Sequence, residues 1–141
     1  MSSQLITIAD AVVTALNAAS FSQTITAVRS YVATRDLKDS DSLTVDVMPV
    51  EMTKEIQTRT TDIESYTVRV IVQKRTDTDA NATLDALSLF VEEIADLLLA
   101  TRLASPTVMC LAVEVIPFSL VDIRERNQFA ASVTATYEQV R

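Results

Sequence analysis

The sequence of 141 residues contains no glycine, no histidine and no tryptophan, and only one cysteine. A chain of this length with average composition would contain about ten glycines. Without glycine, no Gly-rich loop can bring its backbone close to a phosphate or a dinucleotide. Without histidine, the usual general base and the commonest metal ligand are both missing. These absences favour a protein that works by presenting surfaces to other proteins.

The single cysteine, Cys110, has no internal partner for a disulfide and lies within the apolar run VMCL at 108–111. A thiol in apolar surroundings behaves as a small hydrophobic side chain, and its reactivity is low. We therefore predict that Cys110 is a small buried hydrophobic residue.

Composition favours a single globular domain over residues 1–141, because 48% of the residues are hydrophobic and 22% are charged. The longest apolar stretches, at 97–100 and 111–113, are too short to cross a bilayer. The first residues lack the basic start and apolar run of a signal peptide. We expect a soluble intracellular protein with no membrane partner.

The formal net charge of −7 comes from 12 basic and 19 acidic side chains. Proteins that wrap nucleic acid need clustered Lys and Arg to contact phosphates, so this balance disfavours that role. It is compatible with a wall past which DNA slides without binding.

Two amphipathic helices are predicted from apolar residues that recur every three or four positions. The first covers about 8–19, with Thr7 to Asp10 spaced as a capping box. The second begins after an N-cap at Thr78 or Asp79 and ends near Arg102, with one apolar seam. The residues of that seam are Leu84, Leu87, Val91, Ile94 and Leu98.

Strands are predicted at 25–34, 43–47, 66–73, 107–118 and 129–140 from β-branched content and alternation. Pro49 is expected to end the second of these, and the fourth is expected to be central because both of its faces are apolar. Residues 50–61 are polar and predict a long exposed loop or an extended hairpin tip. The fold class is therefore α+β, with a mainly antiparallel sheet of about four to five strands and two helices packed on one face.

The side chains do not predict an enzyme. The carboxylate pairs Asp39/Asp41, Asp77/Asp79 and Glu92/Glu93 fall in polar turns or on a solvated helix face, where their pKa values would not be driven apart. The Asp/Ser stretch at 36–41 lacks the Gly and the closing Glu of a cation-binding loop. No catalytic, cofactor-binding or metal-binding residue is assigned.

Arg29 is open to two interpretations. It is expected to share a strand face with Tyr31, and it could form a buried pair with a carboxylate or lie at the surface, alone or in an interface salt bridge. The second interpretation is favoured.

The layout of the whole chain resembles the phage tail terminators, the tail-completion proteins related to minor tail protein U of lambdoid phages. Three parts of the sequence carry this resemblance: 9–17 (ADAVVTALN); 28–31 (VRSY), 36–37 (DL) and 43–49 (LTVDVMP); and 66–74 (YTVRVIVQK) leading into 87–98 with EEIAD. None of them is a catalytic signature.

The resemblance implies a structural virion protein of the neck, made in the host cytoplasm. Such a protein forms a ring, generally a hexamer, that caps the tail tube and ends its growth. The ring also offers a docking surface to the head connector, and DNA passes through its lumen without specific binding. An acidic lumen would repel phosphates and let the genome slide.

A closed ring needs two different surface patches on each subunit that complete one another. The connection at 35–42 and the segment 50–61 are the candidates for these contacts, with no individual role assigned. Their charged residues are Arg35, Asp36, Lys38, Asp39, Asp41, Glu51, Lys54, Glu55 and Arg59. Two alternatives stay open: another head-tail connector ring such as a head-closure protein, and a tail-assembly chaperone or adaptor that is absent from the virion.

Overall fold

Two helices lie on one face of a sheet in the computed structural model, which describes residues 3–22, 25–31, 43–75, 81–100, 103–104, 107–116 and 128–140. The elements are α1 (Gln4–Ala18), β1 (Ala27–Arg29), β2 (Thr44–Ile56), β3 (Asp62–Arg75), α2 (Asn81–Ala100), β4 (Leu103–Ala104), β5 (Thr107–Ile116) and β6 (Gln128–Val140). The sheet order is β1-β2-β3-β6-β5-β4, and of the described pairs only β1 with β2 is parallel. The predicted fold class is confirmed, and the described strands number six because two short strands lie at the edges.

The core is formed by alternate residues of the two central strands, β3 and β6, under both helices. The alternation predicted for these strands is confirmed. Their buried residues are Tyr66, Val68, Val70, Val72, Phe129, Ala131, Val133, Ala135 and Tyr137. Helix α1 packs over β1 and β2, and α2 packs over β5 and β6.

The seam predicted for α2 is confirmed, since Leu87, Val91, Ile94 and Leu98 are buried and Leu84 is partly buried against them. A T-shaped contact between the Phe21 and Phe90 rings, 5.5 Å between centroids, joins the segment after α1 to α2.

Helix α1 begins earlier than its capping pattern predicted. Its N-cap is Ser3, and Thr7 lies inside the helix, where its hydroxyl donates to the Ser3 carbonyl at 3.0 Å. The predicted capping box is therefore wrong. Leu5 packs against the core one turn before Ile8 and Ala9. This tertiary packing stabilises one additional helical turn at the start of α1.

Strand β2 continues through Pro49, and the prediction that this proline ends the strand is wrong. The register against β3 shifts between Pro49 and Glu51, which marks a β-bulge. Prolines are tolerated in sheets at bulges and on edge strands. Pro49 lies at the bulge, and it also lies on an edge, because the described part of β1 pairs with β2 only as far as Val47.

Asp46, on the same strand, is 1% exposed. The alternation at 43–47 predicted one buried face and therefore an exposed Asp46, so this part of the prediction is wrong.

Of the strand predicted at 25–34, residues 32–34 lie outside the described residues, and among the others β1 covers Ala27–Arg29 alone. The strand predicted as central, β5, lies next to the edge, because it pairs fully with β6 but only through two residues with β4. Ala112, Glu114 and Ile116 are exposed because they lie on the face of the sheet opposite α1 and α2. These two strand predictions are wrong in extent and in position.

A bulge between Cys110 and Ala112 changes the face of β5 partway along the strand. Cys110 therefore packs towards the core together with Val113 and Val115.

Asn17 joins α1 to β1 through both ends of its side-chain amide. Its Nδ2 donates to the Ala27 carbonyl at 3.2 Å, and its Oδ1 accepts from the Ala27 amide at 2.8 Å. We expect Asn17→Ala to lower the free energy of unfolding by about 1–2 kcal/mol, because two partly buried backbone groups lose their partners. Urea denaturation measures this loss. Asn17→Asp keeps the acceptor but places a carboxylate oxygen against the Ala27 carbonyl in the last turn of α1, so it should also be less stable than the wild type. Wild-type stability for either variant would contradict the assignment.

Candidate interaction surface

The residues predicted to form inter-subunit contacts divide into two groups. Arg35, Asp36, Lys38, Asp39 and Asp41 lie outside the described residues. The other four, Glu51, Lys54, Glu55 and Arg59, are all exposed on the hairpin formed by β2 and β3. Of the two alternatives for residues 50–61, the extended hairpin is confirmed and the irregular loop is not.

Threonines build the tip of this hairpin in place of glycine. The amides of Gln57 and Thr58 both donate to the Thr61 carbonyl at 3.0 Å. The Thr58 hydroxyl oxygen accepts from the Thr60 and Thr61 amides at 3.2 and 3.1 Å. Hydroxyl groups that bond to nearby backbone amides stabilise turns. The tip is therefore a defined turn.

The two faces of β2 beyond the bulge differ in chemistry. Glu51, Thr53 and Glu55 lie on one face, and Met52, Lys54 and Ile56 lie on the other. We call Met52, Lys54 and Ile56 the hairpin surface. Met52 is 44% exposed and Ile56 is 84% exposed, so an apolar, a cationic and an apolar side chain follow one another in water.

A buried carboxylate, Glu64, lies next to the hairpin surface as the cross-strand neighbour of Lys54. Glu64 is 4% exposed and accepts a hydrogen bond from the Tyr66 hydroxyl. The Lys54 Nζ lies 3.6 Å from Glu64 Oε1. On the neighbouring strand, Gln139 is paired with Glu64 in register and accepts from the Gln4 side chain at 3.2 Å. At the base of the hairpin, these bonds join β2 to β3 and α1 to β6.

Two tyrosines face each other across β3 and β6 beside this cluster. Tyr66 and Tyr137 are paired in register and both are fully buried. The Tyr137 hydroxyl has no hydrogen-bond partner among the described residues. Burial is the main cause that raises the pKa of Tyr137, with a smaller contribution from Cys110, so the hydroxyl is neutral at physiological pH.

Cys110 is half-buried, which is less than predicted, and burial raises the pKa of its thiol. Its Sγ donates to the Ala112 carbonyl at 3.6 Å. A raised pKa lowers the thiolate fraction and with it the nucleophilicity of the side chain.

Arg29 forms an exposed salt bridge with Asp10 of α1, with Arg29 Nε 2.7 Å from Asp10 Oδ1. Its guanidinium lies 5.6 Å from the centre of the Tyr31 ring. The hydrogen bond to Asp10 is the largest of the effects that raise the pKa of Arg29. The pair joins α1 to β1. It is a pair with a carboxylate, as the first interpretation expected, and it lies at the surface, as the second expected.

The outer face of α2 combines acidic and apolar side chains. Leu89, Glu92, Asp96 and Leu99 follow one another at helical spacing and are all exposed, Leu89 at 52% and Leu99 at 56%. We call these four residues the α2 stripe. The segments of α1 and α2 contain no Lys or Arg, so the charged residues of the helix layer are all acidic: Asp10, Asp85, Glu92, Glu93 and Asp96.

The carboxylate pair Glu92/Glu93 does not form a joint site. Glu92 is exposed, while Glu93 accepts from the Ser22 backbone amide at 3.3 Å and from its hydroxyl. Across the described residues, no three His, Cys, Asp or Glu side chains are grouped so that they could hold a metal ion.

The face of the sheet opposite the helices carries a shallow concavity of about 300 Å³. Its lining residues are Arg69, Ile71, Glu114, Ile116, Ser132 and Thr134. Arg69 Nε donates to Thr134 Oγ1 at 3.4 Å across it.

Sequence reasoning found the charged residues of the hairpin but missed three parts of the surface. Glu64 was missed although it lies two residues before Tyr66, in phase with the buried face of β3. Met52 and Ile56 share one face with Lys54, and this face alternates with Thr53 and Glu55 on the other, which is the signal of a two-faced strand. On α2, the exposed Leu89 lies off the seam, at a position that an amphipathic helix normally fills with a polar residue.

No family model and no curated protein matches the sequence. Within the described part of the chain, no helix is both long enough and apolar enough to span a membrane.

Proposed function

We propose that this protein is a phage tail terminator, a structural protein of the virion neck that forms a hexameric ring on the end of the tail tube. The ring stops tube growth and gives the head connector a surface on which to dock, and DNA passes through the lumen. The proposal starts from the sequence resemblance, and the hairpin of β2 and β3 supports it.

The supporting observation is the exposure of large apolar side chains on a well-ordered hairpin. Met52 and Ile56 lie in water on a strand that is hydrogen-bonded along its length to β3. The turn at its tip is held by threonine hydroxyls and its base by the Glu64 cluster. Exposed apolar side chains on a pre-ordered element are typical of a protein-binding surface, because little conformational entropy is lost on binding.

The negative charge fits a passage for DNA. A net charge of −7 repels phosphates and lowers non-specific binding. A basic lumen would instead hold the genome through salt-dependent phosphate contacts.

The experiment that tests the proposal is assembly of the tail-tube protein of the same phage with and without this chain, followed by electron microscopy. We expect a six-fold ring at one end of each tube and tubes that stop growing once capped. Binding to the head connector alone would support a head-closure ring instead. Absence of the chain from finished particles, with binding to unassembled tube protein, would support a chaperone.

The hairpin provides a mutational test of the same function. Replacing Glu51, Lys54, Glu55 and Arg59 together by Ala should leave the domain folded, because all four side chains are exposed. The loss of Lys54 also takes the cation from the buried Glu64, so we expect the free energy of unfolding to fall by about 1–3 kcal/mol. We expect the variant to lose ring formation on tube ends while it keeps a cooperative urea transition. Normal rings from this variant would show that the charged hairpin residues do not form the contact.

A further inference from the structure

The sheet has a free stretch of strand at each of its two edges. On one edge, β1 pairs with β2 only as far as Val47, so among the described residues β2 has no further neighbour on that side over 48–56. On the other edge, β4 pairs with β5 only at Thr107 and Val108, so β5 has no described neighbour there over 109–116. Backbone N–H and C=O groups along such edges can pair with another strand.

Each free stretch contains a bulge followed by a regular part. In β2, residues 51–56 pair with β3 without interruption, and in β5, residues 112–116 pair with β6 without interruption. All side chains of 51–56 are exposed, and so are Ala112, Glu114 and Ile116. The two regular parts are nearly equal in length, about 17–20 Å at the rise of an extended strand.

The directions of the two edge strands fit a contact between two copies of the chain. Each neighbouring pair in the series β2, β3, β6 and β5 is antiparallel, so β2 and β5 run in opposite directions. A second copy placed beside the first in the same orientation therefore brings its β2 antiparallel to β5 of the first. The two strands cannot meet within one copy, because β3 and β6 lie between them.

We propose that residues 51–55 of one copy pair antiparallel with residues 112–116 of the next, with Thr53 opposite Glu114, so that one sheet continues from copy to copy. Each copy offers β2 at one edge and receives a strand at β5, which is the heterologous contact that closes into a ring. This inference rests on the proposed ring function and names the strands that form its subunit interface.

The pairing extends the apolar layer on the helix side of the sheet. Met52 lies opposite Val115 and Lys54 opposite Val113, and both valines pack against the core of their own copy. Met52 is exposed in the single copy, so the contact covers apolar surface. Lys54 keeps its ion pair with Glu64, because the pairing uses the backbone and the alkyl part of the lysine side chain.

The acidic residues on the other side of the sheet select the register. Glu51 and Glu55 lie diagonally from Glu114, at about 7–8 Å. A slide of two residues in either direction places one of them directly opposite Glu114, and like charges at that position are destabilising. The quadruple alanine variant of the hairpin lacks this restriction, so its strands can slide and closed rings are not expected.

The pairing also gives each copy the stagger that a closed sheet needs. Within one copy, Val115 is level with Val47, through Val133 and Val70. Between copies it is level with Met52, which is five residues further along β2 (from 47 to 52). A sheet that closes on itself requires a fixed stagger and tilted strands. The contact therefore repeats in one direction around a ring.

Cysteine cross-linking tests the register. In a Cys110→Ala background, Thr53→Cys/Glu114→Cys places thiols at opposed positions, where Cβ atoms are about 4.5–5.5 Å apart and a disulfide forms with little movement. Within one copy, two strands separate these positions by about 14 Å, so every disulfide joins two copies. We expect mild oxidation, of the free chain and of the chain on tube ends, to give a ladder of species larger than a dimer.

Matched variants control this experiment. Thr53→Cys alone and Glu114→Cys alone can give nothing larger than a dimer. Thr53→Cys/Ala112→Cys moves one thiol by two residues on the same face of β5 and should cross-link more slowly. All three positions are exposed, so these variants should stay folded, which circular dichroism checks.

Charge reversal gives a second test, in which the expected result is a gain. Glu114→Lys places a cation between Glu51 and Glu55 of the next copy, so we expect association roughly tenfold tighter than that of the wild type in sedimentation velocity. Glu138→Lys makes the same change of charge on β6, outside the contact, and should have a smaller effect. Equal gains in the two variants would mean that net charge alone is responsible and would overturn the register.

The failures of the two proposals can be told apart. Ladders from the opposed pair, in solution or only on tube ends, support the edge pairing. Dimers alone under both conditions overturn it, and capping of tubes by that same chain would keep the terminator function without this interface. Ladders from a chain that never caps tubes would keep the edge pairing and overturn the function.

Discussion

Ile94→Asp is expected to prevent the domain from folding. Ile94 is fully buried on the seam of α2, under which β5 and β6 pack. The substitution removes a large apolar side chain from the core and places an unpaired carboxylate there, and each change costs several kcal/mol. Their sum reaches about 5 kcal/mol or more, which is comparable to the whole stability of a small domain.

Far-UV circular dichroism and thermal denaturation measure this effect, and Leu99→Asp is the matched control. Leu99 is on the same helix and 56% exposed, so the same carboxylate there should change stability by about 0.5 kcal/mol or less. A cooperative melting transition for Ile94→Asp at the wild-type temperature would show that Ile94 is not in the core.

The central strands were predictable because their alternation agrees with their burial. In β3 and β6, every second residue is apolar, and both strands have a helix layer on one side only. A period of two is a strong signal when only one face is covered. The α2 seam was predictable for the same reason at helical spacing.

The bulges were not predictable from the sequence. The shift between Pro49 and Glu51 keeps β2 in the sheet, and the shift between Cys110 and Ala112 changes the face of β5. Both bulges depend on pairing with a strand that is distant in sequence, and local strand propensity carries no information about that pairing. The apolar residues on the outer face of β5, such as Ile116, indicated a central strand. In the structure Ile116 is exposed, and β5 lies next to the edge strand β4.

The candidate site was predictable in part. Its charged residues and its extended form follow from composition and from the alternation around Lys54. The turn at 57–61 did not follow from glycine or proline signals, because threonine hydroxyls bond to the backbone there instead. Glu64 lies two residues before Tyr66, in phase with the buried face of β3. Its burial was not predicted, because a glutamate is rarely buried unless it has partners.

Tyr66→Phe and Tyr137→Phe are expected to have opposite effects on stability, although the two tyrosines are cross-strand neighbours and equally buried. The Tyr66 hydroxyl donates to the buried Glu64, so its removal takes a hydrogen bond from a carboxylate in a poorly solvated site. Hydrogen bonds to charged groups contribute about 1.5–3 kcal/mol, and we expect a loss in that range.

The Tyr137 hydroxyl is buried with no partner among the described residues, so its removal relieves a desolvation cost. We expect Tyr137→Phe to raise the free energy of unfolding by up to about 1 kcal/mol. Urea denaturation of both variants at one pH gives the comparison, since each loses the same single oxygen from the same kind of ring. Equal losses would mean that the Tyr137 hydroxyl has a partner in solution, and equal gains would mean that the bond from Tyr66 to Glu64 does not stabilise the fold. Opposite signs would show that the base of the hairpin is held by this carboxylate, as its role in a rigid docking surface requires.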